Sequence, residues 1–111
     1  MVNFDEANCP CEGANLSKFV QPVILAILKK GDVKGYSIIK ECENYITFSQ
    51  APDAAGIYRM LRTMEERALV EKRGTGEYHI TKEGLSCLKS WKWTLLSYAR
   101  QINQLVEELD V

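Results

Sequence analysis

A chain of 111 residues has the length of one domain, and its 46% apolar and 26% charged residues are those of an ordinary folded protein, which excludes a disordered or low-complexity polypeptide. The longest uncharged apolar run, residues 19–28, contains Gln21 and Pro22 and falls short of the roughly 20 residues that cross a bilayer. Residues 1–13 carry acids and lack both a basic flank and an apolar stretch, so no signal peptide is expected and a cytoplasmic location is.

The net charge of −1 hides an asymmetry. Residues 1–16 hold three acids and no base, residues 17–80 hold ten Lys/Arg against eight Asp/Glu, and residues 81–111 balance at four and four. Only the middle is positive, which permits a local basic face without demonstrating one. The expected organisation follows these limits: an acidic, cysteine-containing arm at 1–16, a main module at 17–80 and a final helix at 81–111.

Residues 17–30 predict a helix that is apolar on nearly every face, with Ser17 as a candidate N-cap and Pro22 in or just after the first turn. Such a helix is buried on more than one side. The Gly31–Gly35 turn stops it, with Gly31 suited to a left-handed C-cap. Residues 36–44 predict a second helix with Tyr36, Ile39 and Cys42 inward, followed by a polar linker at 45–52.

Asp53 is a good N-cap for a third helix over 54–67, where Ile57, Leu61 and Met64 recur at i, i+4 and i+7 as one buried stripe. The opposite side carries Ala55, Arg59, Arg62 and Glu66, with Thr63 adjacent. Small residues precede two arginines, an order that brings the first turn close to base edges while the guanidinium groups reach guanine or phosphate. The same two arginines would also serve to solvate an amphipathic helix.

Residues 69–73 and 77–80 predict two short strands around Gly74-Thr75-Gly76, a hairpin turn. Lys72 and Arg73 on this hairpin are candidates for phosphate contact. Thr81-Lys82-Glu83-Gly84 supplies an N-cap hydroxyl followed by an acid, and no proline interrupts the chain from there to Leu109. Leu88, Trp91, Leu95, Tyr98, Ile102, Leu105 and Leu109 step by three and four, a heptad-like stripe suited to pairing with a second copy; Ala99 and Val106 flank it. The fold class expected is mainly α with a small β-hairpin: a winged helix-turn-helix with a long C-terminal dimerisation helix.

Gly35-Tyr36-Ser37-Ile38-Ile39, Gly56-Ile57-Tyr58-Arg59-Met60-Leu61-Arg62, Ala68-Leu69-Val70-Glu71 and Tyr78-His79-Ile80-Thr81-Lys82-Glu83-Gly84 together resemble the PadR family of transcriptional regulators, from about Phe19 to the end of the chain. The resemblance implies a dimeric repressor on a pseudo-palindromic operator in double-stranded DNA, with Ala55, Gly56, Tyr58, Arg59, Arg62 and Thr63 of the third helix in the major groove and Lys72 and Arg73 on the backbone. It also implies a small hydrophobic or aromatic effector between the last helices, near Trp91, Trp93 and Leu95. Departures are visible: Asp53-Ala54-Ala55-Gly56 stands where the family often has Ser-Pro-Gly-Thr, Leu95 stands near the level of a family tryptophan, and His79 stands where a basic residue is common.

Tyr58 has two readings, a phosphate contact through its hydroxyl or a seal between helix and wing. Trp91 and Trp93, two apart, face different ways, so one is interfacial and the other lies at the effector space or surface. Cys9-Pro10-Cys11 presents two sulfurs suited to a soft metal or a redox response, while Cys42 and Cys87 read as small buried hydrophobes. No cofactor beyond that thiolate-bound metal is expected. Nor is an enzyme expected, because the chain lacks a Gly-rich phosphate loop and the strand-then-helix setting of a dithiol oxidoreductase. A thiol-based sensor and a protein-interaction module without DNA are the competing readings.

Overall fold

The computed structural model describes residues 19–45 and 53–109. Its elements run α1 (Val20–Lys30), β1 (Val33–Lys34), α2 (Gly35–Cys42), α3 (Ala54–Glu66), β2 (Val70–Lys72), β3 (Glu77–Ile80) and α4 (Lys82–Leu109). The expected N-cap Ser17 and most of the 45–52 linker lie outside the described residues.

The core is built around α1. Seven of its eleven residues are buried, and Ile24, Leu25 and Leu28 are almost completely so. An all-round apolar helix is stable in water only at the centre of a fold, and here α2, α3, β3 and α4 all pack against it. Pro22 sits in the first turn, where its absent N–H has no intrahelical partner to lose. Gly31 ends α1 at φ 156 and ψ 163, a positive-φ conformation that favours glycine but differs from the left-handed helical C-cap expected, and β1 begins two residues on.

The predicted hairpin is present as β2 and β3, and β1 is a further strand added to its β3 edge. The sheet has three antiparallel strands in the order β1-β3-β2, with Val33 opposite Tyr78 and Val70 opposite Ile80. A strand of two residues carries no alternation to recognise, and only its pairing with β3 defines it. In α2 the inward face also shifts. Gly35, Ile38 and Cys42 are buried with Ile39 beside them, whereas Tyr36 is 66% exposed under the Lys40 ammonium. The helix begins at Gly35, where Tyr58 closes on the backbone, and this contact fixes the phase.

The third helix follows expectation: the Asp53 carboxylate accepts the Gly56 N–H at 2.7 Å, and Ile57, Leu61 and Met64 are fully buried. It ends with the Ala68 N–H donating to the Glu65 carbonyl and the Leu69 N–H to that of Met64, a Schellman arrangement with Ala68 at φ 61 where glycine is usual. The wing closes through a Gly76 N–H to Arg73 carbonyl bond with Gly76 at φ 89, as expected of a three-residue hairpin loop.

Thr81 joins the parts. Its hydroxyl donates to the Ala68 carbonyl at 2.6 Å and accepts the Gly84 N–H at 2.9 Å, so one side chain both caps α4 and ties it to the end of α3. Gly84 completes the joint, because a Cβ there would collide with the Leu69 carbonyl and the Ile80 side chain. The Ile-Thr-x-x-Gly sequence thus fixes the long helix to the module that precedes it.

Candidate nucleic-acid interface

The recognition face is produced by the same periodicity that builds the core. With Ile57, Leu61 and Met64 inward, Ala55, Arg59, Arg62 and Glu66 stand exposed on the other side of α3. Among the described residues neither Arg59 nor Arg62 forms an ion pair. Two guanidinium groups held on a capped helix and without ion pairs among the described residues are available to carboxylate, phosphate or guanine edges.

The neighbouring predicted residues take more particular places. Gly56 is half-exposed, and a Cβ there would come 2.9 Å from the capping Asp53 oxygen, so glycine suits the cap as well as close approach. Tyr58 is 41% exposed and its ring edge and hydroxyl lie against Gly35. It therefore seals the junction of α2 and α3, lies near Tyr78 of β3, and keeps an exposed edge. The Thr63 hydroxyl donates to the Arg59 carbonyl at 3.2 Å, back onto its own helix.

On the wing, Lys72 is exposed with its ammonium 5.9 Å from the Tyr78 ring centre. Tyr78 itself is buried, and burial, reinforced by Glu65 and Tyr58 and opposed by Arg62, raises its hydroxyl above the ordinary tyrosine range. Arg73 is engaged within the chain: its Nε lies 3.6 Å from an oxygen of Asp32, whose other oxygen accepts from His79 Nδ1 at 2.9 Å. Sequence reasoning did not single out Asp32. Nothing in a Gly-Asp-Val-Lys-Gly turn reveals that strand pairing will bring a residue 47 positions away beside it.

The nine residues assigned to pairing divide into two groups. Leu88, Trp91 and Leu95 are half-buried, and Leu88 and Trp91 pack on the core. Tyr98, Ala99, Ile102, Leu105, Val106 and Leu109 are exposed, Ile102, Leu105, Val106 and Leu109 by 55–60%. Trp91 is held by its own chain: its indole N–H donates to the Gln21 side-chain oxygen at 2.8 Å and its ring meets Phe19 edge-on. Gln21 is a second anchor that the sequence did not disclose, since only the tertiary fold brings residues 70 apart together.

An open apolar groove of about 780 Å³ runs between α1 and α4, floored by Phe19, Pro22, Val23, Leu88 and Leu95 and edged by Lys29, Lys89 and Lys92. Of the three residues assigned to an effector, Leu95 lines it; Trp91 faces Gln21 instead, and Trp93 stands 62% exposed beside Lys92 on another side of the helix. Cys9 and Cys11 lie outside the described residues, and no group of three His, Cys, Asp or Glu side chains suited to a metal occurs among the described ones. Cys42 is a buried free thiol whose pKa is pushed up to about 11 by burial, with Glu41 and Glu43 adding to it; Cys87 is half-buried and free. No described helix is long and apolar enough to cross a membrane.

Three helices, a three-stranded wing and a long closing helix define a winged-helix transcription regulator, and solved structures share that architecture. A PadR family transcription regulator from hypervirulent Clostridium difficile superposes with a TM-score of 0.67 at 25% identity, over 79% of this chain and 98% of that one. A PadR-like transcriptional regulator from Bacillus cereus gives 0.66 at 26% identity, over 82% and 94%. The Vibrio cholerae virulence activator AphA is 35% identical with a TM-score of 0.58, over 65% of this chain and 42% of its own. No curated protein sequence matches. The model of the transcriptional regulator PadR-like family matches residues 24–90, and the chain belongs to that family. It is a DNA-binding transcriptional regulator and not an enzyme.

Proposed function

We propose that the chain works as a homodimer that recognises a pseudo-palindromic operator, each copy placing α3 in the major groove with Arg59 and Arg62 as the readers. Ala55, Gly56 and Thr63 border the approach to the bases, the exposed edge of Tyr58 meets the backbone, and Lys72 supplies a phosphate contact from the wing. The single observation that carries this reading is the pair of exposed arginines, without an ion pair among the described residues, on the outer face of a helix whose inner face is completely buried.

Pairing is supported by the distal half of α4, whose apolar residues stand about half exposed and outside the core formed by the described residues. The partner's α4 lies along this stripe and over the groove beside α1. Residual space in that groove, apolar below and lysine-edged above, accommodates a small hydrophobic effector that loosens the grip on DNA. The regulator then acts as a repressor by occupying its operator.

Duplex binding followed by fluorescence anisotropy tests the assignment. Replacing Arg59 or Arg62 with alanine removes about 1–3 kcal/mol of operator affinity per lost base contact and leaves folding intact. A double variant that binds as the wild type rejects the reading.

A further inference from the structure

The Arg73 ion pair and a hydrogen bond from His79 converge on one carboxylate, Asp32. The sheet explains why. Because β1 pairs with β3 as Val33 opposite Tyr78, the adjacent pair in register is Asp32 and His79, while Glu71 of β2 flanks His79 on its other side. Tyr78 and Ile80 are buried, so alternation turns His79 toward the outer face of the sheet, where its Nδ1–H donates to Asp32 at 2.9 Å. Arg73 opens the wing turn, its N–H bonded to the Glu77 carbonyl at 2.8 Å, and its side chain reaches the second Asp32 oxygen at 3.6 Å.

We propose that Asp32 is an electrostatic brake on DNA binding: it withholds the Arg73 guanidinium from the phosphate backbone and so lowers the sequence-independent part of the affinity. The inference rests on the DNA-binding reading proposed for α3 and the wing, and adds a residue that acts through Arg73 rather than by touching DNA. A cation that neutralises a phosphate releases condensed counterions, and this release dominates non-specific affinity. Arg73 already neutralised by a carboxylate contributes no such release until the pair opens. Side-chain exposures of 47% for Arg73 and 34% for Asp32 place the pair at the surface, where it is weak enough to tune affinity rather than abolish it. The arrangement separates the cations of the interface into two kinds: Arg59, Arg62 and Lys72, without ion pairs among the described residues, and Arg73, held in reserve.

Asp32→Asn is the informative change, since the amide oxygen still accepts from His79 while the charge that holds Arg73 is gone. Binding of a mixed-sequence DNA duplex is measured by anisotropy across salt for wild type, D32N, R73Q and the double variant. D32N binds more tightly, and its plot of log K against log salt steepens by up to about 0.9, so its advantage shrinks by up to about 3.5-fold between 50 and 200 mM salt. The double variant shows no gain over R73Q. A D32N protein no tighter than wild type overturns the proposal, as does a gain that survives R73Q. Wild type without salt-dependent duplex binding would remove the DNA reading itself, an outcome distinct from equal binding by wild type and D32N.

Discussion

Helices α1 and α4 are both rich in leucine, isoleucine and valine at helical spacing, yet the fold treats them in opposite ways. α1 buries seven of eleven residues, whereas α4 buries only Gly84 of its 28. The proximal part of α4, through Leu95, leans on α1, and beyond Tyr98 its apolar residues are exposed and pack on no core residue among those described. An apolar stripe records that a surface avoids water; what covers it is decided elsewhere. In α1 the cover is the domain itself, and in distal α4 the proposed cover is a second copy of the chain.

The same substitution placed in each helix sharpens this contrast. Leu28→Ala empties a fully buried site and lowers stability by about 2–5 kcal/mol in urea unfolding, whatever the protein concentration. Leu105→Ala costs less, and its cost fades as the protein is diluted toward the monomer, because it weakens association rather than the core. Identical concentration behaviour of the two variants breaks the comparison. Gly84→Ala attacks the joint between the two regions: the added methyl meets the Leu69 carbonyl, and a loss of about 1–3 kcal/mol is expected in the same assay.

Two smaller effects are local to the core module. Ala68→Gly relieves a left-handed residue at the end of α3 and raises stability by up to about 1 kcal/mol. Cys42 makes stability depend on alkaline pH. Its folded pKa, about 11, lies above the ordinary 9.0, so its contribution is complete below pH 9 and is lost as the pH rises from there through about 11, where unfolded chains have already released the proton. Unfolding of C42A lacks this increment of the alkaline loss when compared with wild type across that window.

Elements whose signals are local were legible in the residues. Asp53 announced the start of α3, Thr81 and Gly84 the start of α4, and the glycines at 74 and 76 the wing turn, because caps and turns depend on the side chains at the site itself. The faces of α3 followed from a period long enough to count. What escaped depended on partners distant in sequence: β1, the phase of α2 set by Tyr58 against Gly35, the grip of Gln21 on Trp91, and the Asp32 carboxylate that occupies Arg73. Lys72 and Arg73 read alike as neighbours, and only the register of β1 on β3 tells them apart.

Hydroxyl-radical footprinting of the operator duplex tests the groove-reading helix and the pairing that doubles it in a single experiment. Two symmetric patches of protection are expected, their centres about 10–10.5 base pairs, or a multiple of that, apart, and both are lost together with Ile102→Glu. A single protected patch, or symmetric protection that persists when Ile102→Glu has made the protein monomeric, would contradict a paired, α3-led reading of DNA.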